Sequence, residues 1–284
     1  MTQFLKTILP LVAATALLTA CDDIDNPADR YEYMGSTSAE RNVLIEDFTG
    51  QECRNCPDAH EVIESLEALY GDNVIAVSIH GGSFGVPVSE SVLPGYVCLA
   101  SDEGIEYNNR LNLSSWPAGM INRSGGIVNY DKWSDVVREA IQKPASADIK
   151  VAATLTDDGN ISITTTVDPK DTFDAALQLW VVESGIVAFQ QKGRDWLTDY
   201  VHNNVLRAAV NGIDGEATHY TKGISNVTEH SIAVRNTATE QWNTANLAIV
   251  AFIYNNEQGV LQAARAKVMP PAAVDDEPQD PAAD

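Results

Sequence analysis

Two cysteines separated by two residues, in Cys53-Arg54-Asn55-Cys56, are the side chains of this sequence best spaced to do chemistry. That gap lets two thiols close a small disulfide or resolve a mixed one. Upstream, Asn42 to Gly50 carries Val43-Leu44-Ile45 and Asp47-Phe48 before a Thr-Gly break, which predicts a short buried strand. Downstream, Pro57 suits the first turn of a helix, and Val62, Ile63, Leu66 and Leu69 recur at helical spacing until Gly71. Val74 to Ile79 reads as a second buried strand. The dithiol is therefore expected at a helix N-terminus between two strands. There, unpaired N–H groups and the helix dipole stabilise a thiolate on Cys53.

The surroundings qualify that chemistry. Glu52 precedes Cys53, and a carboxylate beside a thiol raises its pKa, against the dipole. His80, at the carboxyl end of the second strand, borders the expected site; His60 reads as a solvent-facing helix residue. One Cys-x-x-Cys without a second pair is a weak zinc signal, so no metal and no cofactor are expected. Cys98 reads as a small buried hydrophobe, with a resolving thiol as the alternative. The Gly81-Gly82-Ser83-Phe84-Gly85 stretch lacks the Lys-Ser/Thr of a phosphate loop and is expected to be a mobile lip near the dithiol.

The whole chain sets limits. It has 284 residues, a formal charge of −22, 44% apolar residues and four cysteines. The length suggests two domains, and the apolar share demands a packed core. Such acidity excludes nucleic acid and basic-patch attachment to anionic lipid. Residues 1–20 read as a secretory signal, with Lys6 ahead of an apolar stretch too short to span a bilayer. Leu18-Thr19-Ala20-Cys21 resembles the bacterial lipobox, which implies acylation of Cys21, by palmitate-type chains, and anchoring in a membrane. Residues 21–41 then form an acidic, polar tether, and 270–284 a Pro- and acid-rich tail. The acidic run after Cys21 resembles a surface-export signal and points to the outer membrane, facing outward. The periplasmic face or the inner membrane is the alternative.

Beyond Ala147 the pattern changes. Ile149, Val151, Ala153 and Leu155 alternate with polar residues, Asp157-Asp158-Gly159-Asn160 turns, and Ile161, Ile163, Thr165 and Val167 alternate again. Leu177 to Val182 and a closing hairpin over Leu247 to Val268 complete the signature of an antiparallel β-sandwich over residues 146–269. Asp199 to Arg207, with Tyr200 and His202, is a polar-aromatic island expected to satisfy core hydrogen bonds, because no nucleophile accompanies it.

Residues 42–145 resemble the thioredoxin superfamily. The resemblance is carried by the Ile45-Glu46-Asp47-Phe48 strand end, the dithiol, and Trp116-Pro117-Ala118-Gly119 leading to Asn122-Arg123 and the Gly125-Gly126 turn. It implies an α/β thioredoxin-like domain in which Asp47 moves a proton to or from Cys56. Pro117 would be cis, with Trp116 beside it, and would orient a substrate strand. The family's tryptophan before the first cysteine is Glu52 here. With Tyr200-Val201-His202-Asn203 and Leu206-Arg207, the whole chain is similar to the lipoproteins related to outer membrane protein 28. That similarity implies an immunoglobulin-like second domain. Two functions follow. In one, Cys53 attacks a protein disulfide and Cys56 resolves the intermediate. In the other, Cys53–Cys56 is a permanent staple in a binding, adhesion or nutrient-uptake lipoprotein whose partners are other outer-membrane proteins.

Overall fold

The computed structural model describes residues 41–85, 97–237 and 240–271. The expected signal peptide, Cys21, most of the tether and most of the tail lie outside these residues, as does the stretch 86–96. The molecule is mostly β-sheet with few helices.

The first part runs β1 (Val43–Thr49), α1 (Cys56–Tyr70), β2 (Val74–His80), the short α2 (Gly82–Gly85), α3 (Asp102–Arg110), β3 (Ala118–Ile121) and α4 (Trp133–Ala140). β1 lies parallel to β2 in a register that sets Asp47 beside Ser78, and antiparallel to β3 with Asp47 beside Gly119. Parallel neighbours need a crossover, which α1 supplies. α1 begins at Cys56 with proline in its first turn and ends where Gly71 adopts a positive φ of 56°. Its buried Ala59, Ile63, Leu66 and Tyr70 pack with Trp133 and Val137 of α4 against Val43, Ile45, Val74 and Ala76. β3 approaches the Trp133 indole so closely that a Cβ at Gly119 would overlap the ring.

Apart from a 3-10 turn at Thr244–Asn246, the regular elements of the second part are strands: β4 (Ala147–Leu155), β5 (Asn160–Pro169), β6 (Phe173–Glu183), β7 (Ile186–Lys192), β8 (Asp195–His202), β9 (Val205–Ala209), β10 (Glu216–Tyr220), β11 (Asn226–Ala233), β12 (Leu247–Asn255) and β13 (Gly259–Met269). The two expected hairpins form, β4–β5 around Gly159 and β12–β13 around Asn255 to Gly259. Alternating residues of β4 and β5 (Ala153, Ile161, Ile163, Val167) face Leu177, Leu179 and Val181 of β6 and Ile249, Ala251 and Ile253 of β12. Not every pairing is antiparallel: the end of β13 runs parallel to β4.

The pairing continues past the second part. Ser78 of β2 pairs with Val205 of β9, and β9 pairs with β6, so the path of strands is β11-β5-β4-β13-β12-β6-β9-β2-β1-β3. One apolar cluster takes residues from both parts, with Leu44, Phe48, Ile75 and Val77 meeting Trp180, Leu206, Val250 and Phe252. β6 and β12 are thus buried on both faces, which is why they read as continuous apolar runs. β7 and β8 stand apart as a two-stranded hairpin.

Candidate functional site at the Cys53–Cys56 disulfide

The loop from β1 to α1 holds the dithiol. Cys53 and Cys56 are joined in a disulfide with Cα atoms 5.4 Å apart. The Cys53 N–H donates to Gly50 O at 3.0 Å and closes the turn that delivers the sulfurs to the start of α1. Gly50 has no room for a side chain, because the Phe84 carbonyl of α2 lies against it. The same carbonyl accepts from the Glu52 N–H at 3.1 Å. Partial burial pushes the Glu52 carboxyl above the ordinary glutamate value.

Asp47 lies fully buried in β1. His60, one helical turn after Cys56, brings Nε2 to 3.3 Å from the Asp47 carboxylate and 3.1 Å from Thr49 Oγ1. Its Nδ1 shares a 2.8 Å hydrogen bond with the Tyr200 hydroxyl of β8. Burial, and then the nearby carboxylates Glu64 and Asp47, push the Tyr200 phenol well above its ordinary value, so it stays neutral and free to donate. His80 is buried with its ring edge-on to His202 at 5.5 Å. Burial, then His202 and His60, hold His80 well below the ordinary imidazole value. Burial, then His60, lowers His202 to about 3.

The Trp116–Pro117 bond is cis. Pro117 directly precedes Ala118, which pairs with Phe48 at the end of β1. The Trp116 indole donates to Asn108 at 2.8 Å and meets the Phe84 ring at 5.5 Å. Trp116 is therefore joined to the Glu52 backbone through Phe84.

The part of the site that sequence reasoning missed comes from β7 and β8. The Gln190 side-chain amide donates to Gly50 O at 3.2 Å and Cys53 O at 3.0 Å. The Gln191 N–H donates to Gln51 O at 2.8 Å, and the Gly193 N–H to Arg54 O at 3.1 Å. Lys192 pairs with Glu61 of α1 at 2.7 Å. The Gln51 amide in turn reaches Phe189 O and Val97 O, which ties the segment of the half-buried Cys98 to the dithiol loop. The hairpin lies on this loop, and Cys53 is 2% and Cys56 0% exposed. His60 is correspondingly not the solvent-facing residue its acidic neighbours suggest. The spacing Cys56, His60, Ile63, Glu67 along one face of α1 was the available signal. Nothing in the sequence places Tyr200 beside His60. Among the described residues, no group of three or more histidines, cysteines or acids is arranged to hold a metal ion.

Fold and site together define a disulfide-bearing α/β unit whose strands continue into a larger β unit, one hairpin of which returns to cover the disulfide. A family model described as outer membrane protein Omp28 matches residues 105–271, well over half the chain, and the chain belongs to that family. The matched stretch starts beyond the dithiol and includes Trp116, Pro117, Tyr200 and His202. Among solved structures, the chain is similar to HBP35 of Porphyromonas gingivalis, with 16% identity, 85% of this chain and 80% of that chain covered, and a TM-score of 0.63. It is also similar to a domain of the outer membrane lipoprotein Omp28 from Porphyromonas gingivalis, with 24% identity over 44% of this chain and 90% of that chain, at a TM-score of 0.32. No curated protein is matched. No described helix is long and apolar enough to cross a membrane.

Proposed function

We propose that this outer-membrane-family protein is a lipid-anchored thiol–disulfide exchange protein, with a thioredoxin-like part over residues 42–145 and an immunoglobulin-like β-sandwich over 146–269. One observation carries the reading: the Cys53–Cys56 disulfide opens a helix directly after the strand that buries Asp47. In that arrangement Cys53 attacks a substrate disulfide as thiolate and Cys56 resolves the mixed disulfide. Asp47 handles the proton of Cys56, and Pro117 and Trp116 border the approach. Cys21 bears the acyl anchor, with the protein on the outer-membrane surface.

Equilibration of the mature protein in glutathione buffers tests this. The expected reduction potential lies between about −270 and −120 mV, and C53S removes disulfide exchange. A potential below about −300 mV, or equal exchange by wild type and C53S, overturns it. Burial of both sulfurs under the β7–β8 hairpin favours a second reading, a staple in a non-catalytic binding or uptake lipoprotein, and the low potential is its signature. Membrane anchoring is tested separately: C21S is expected to move the protein from the membrane to the soluble fraction.

A further inference from the structure

We infer that His60, seated by Tyr200, is the positioning residue through which the buried Asp47 exchanges its proton with solvent, so that the β-rich part completes the dithiol site. This rests on the exchange reading above and adds to it the path of the proton.

Asp47 is fully enclosed, and neither carboxylate oxygen has a hydrogen-bonded partner; the group that approaches it is His60 Nε2 at 3.3 Å. An enclosed carboxylate cannot trade protons with water directly and needs a carrier beside it. An imidazole is suited to that task because each ring nitrogen serves a different neighbour. Here Nε2 faces both Asp47 at 3.3 Å and Thr49 Oγ1 at 3.1 Å, while Nδ1 is held by the Tyr200 hydroxyl at 2.8 Å, which fixes the ring. His60 and Cys56 occupy successive turns of one face of α1, so the imidazole that reaches Asp47 stands on the strip of helix that also carries the resolving sulfur. Beyond the ring is a cavity of about 40 Å³ bounded by His60, Glu64, Ser78, Tyr200, His202 and Asn204, large enough for one water molecule. The His60 side chain itself is 13% exposed.

The groups that face His60 or share its cavity are Asp47 of β1, His80 of β2, Tyr200 and His202 of β8, and Glu64 and Glu67 of its own helix. Burial keeps His80 and His202 neutral, and the Tyr200 phenol keeps its proton. None of these three competes for the task. His60 alone among them touches both the carboxylate and the cavity.

With dithiothreitol as the probe, the steps balance. A reagent thiolate attacks Cys53 Sγ, the Cys53–Cys56 bond breaks, and its electron pair leaves on Cys56. Cys56 takes a proton from the Asp47–His60 pair, and water in the cavity restores that proton. The second reagent thiolate then displaces Cys53, leaving cyclic oxidised reagent and a two-electron-reduced protein.

The experiment follows reduction of the mature full-length protein by dithiothreitol from pH 5.5 to 8.5, corrected for ionisation of the reagent. Wild type, H60Q and Y200F are compared, with melting curves to verify folding. H60Q is expected to react at least about tenfold more slowly at pH 7 and to lose the pH inflection of the wild type. Y200F, which keeps the imidazole but frees it, is expected to fall between the two. Superimposable profiles overturn the inference, and so does a faster H60Q, which would make His60 only an anchor for the hairpin. If wild type resists reduction at every pH, the exchange reading fails instead. The pairing is then read by nuclear magnetic resonance from the His60 ring protons in wild type and D47N. Different titration curves uphold the pairing, and identical ones overturn it.

Discussion

Arg123 shows how much one side chain can hold. Its guanidinium meets the buried Glu46 carboxylate with Nη2–Oε1 at 2.9 Å and Nε–Oε2 at 3.2 Å. It also lies over the rings of Tyr254 at 4.3 Å and Phe252 at 4.8 Å. Burial opposes its charge, but Glu46 outweighs burial and raises the pKa, so the group is firmly cationic. R123A leaves Glu46 buried without a counter-charge and is expected to destabilise the fold by about 3–5 kcal/mol in denaturant titration. A loss under about 1 kcal/mol would mean that the pair is no better than a surface bridge. His202 predicts a pH effect. Its pKa is about 3 in the fold against 6.5 ordinarily, so below pH 6.5 the unfolded chain binds the proton and the folded chain does not. Stability from this group is complete above about pH 6.5 and falls as the pH drops toward 3, at about 1.4 kcal/mol per unit. Glu67 and Glu183, both raised by burial, work in the opposite sense nearer the carboxylate range. The test is therefore the difference: between pH 7 and 5, H202N should lose less stability than wild type by about 2 kcal/mol.

At the scale of elements, the β7–β8 hairpin decides who reaches the sulfurs. It grips the dithiol loop through the Gln190 amide and two backbone N–H groups, and its inner face buries Ala188 and Phe189. Its outer face shows Val187 and Val201 to solvent as cross-strand partners. Q190A strips a donor from two buried carbonyls at a cost of about 1–3 kcal/mol to the closed form. Alkylation of the cysteines after a phosphine pulse should then accelerate about tenfold or more, as read by mass spectrometry. K192A removes only an exposed pair with Glu61 and should leave that rate within about twofold. Equal rates for Q190A and wild type would mean that reagents reach the disulfide without hairpin movement.

At the scale of the molecule, the two parts share a sheet and a core. β9 pairs with β2, Ser78 N–H donates to Asn204 O at 2.8 Å, and Val260 N–H donates to Asn122 O at 2.7 Å. Arg41 and Asn42, ahead of β1, bond Val260, Gln262 and Ala263 of β13. Cutting the chain near residue 145 would expose Leu44, Phe48, Ile75, Val77 and Ile79 together. We therefore expect residues 41–145 expressed alone to aggregate or to lack fixed near-ultraviolet dichroism, and the intact chain to unfold in one transition. Two separated transitions, or a well-folded fragment, would show the parts to be independent.

Local patterns were legible because local physics fixes them. Continuous apolar runs gave β1 and β2, helical spacing gave α1, and period-two alternation gave β4 and β5. Gly159 and the Asn255–Gly259 stretch gave their turns, and the cysteine pair at the start of a helix gave its disulfide. The match to Trp116-Pro117 gave the cis bond. His60 was misread because the acids around it on α1 mark a solvated face, and only the packing of that helix against β1 turns its ring toward Asp47. Gln190 carried no signal, and Tyr200 stood out only as part of a polar-aromatic island with no partner indicated. Their partners lie 140 residues away in sequence for Tyr200 and His60, and 137 for Gln190 and Cys53. Contacts that distant depend on where two strands of the β-rich part project once β6, β9 and β2 have joined into one sheet. Sequence alone thus determined the dithiol and the strands that carry it; its enclosure, and the company its buried acid keeps, belong to the tertiary structure, because only long-range pairing brings those groups together.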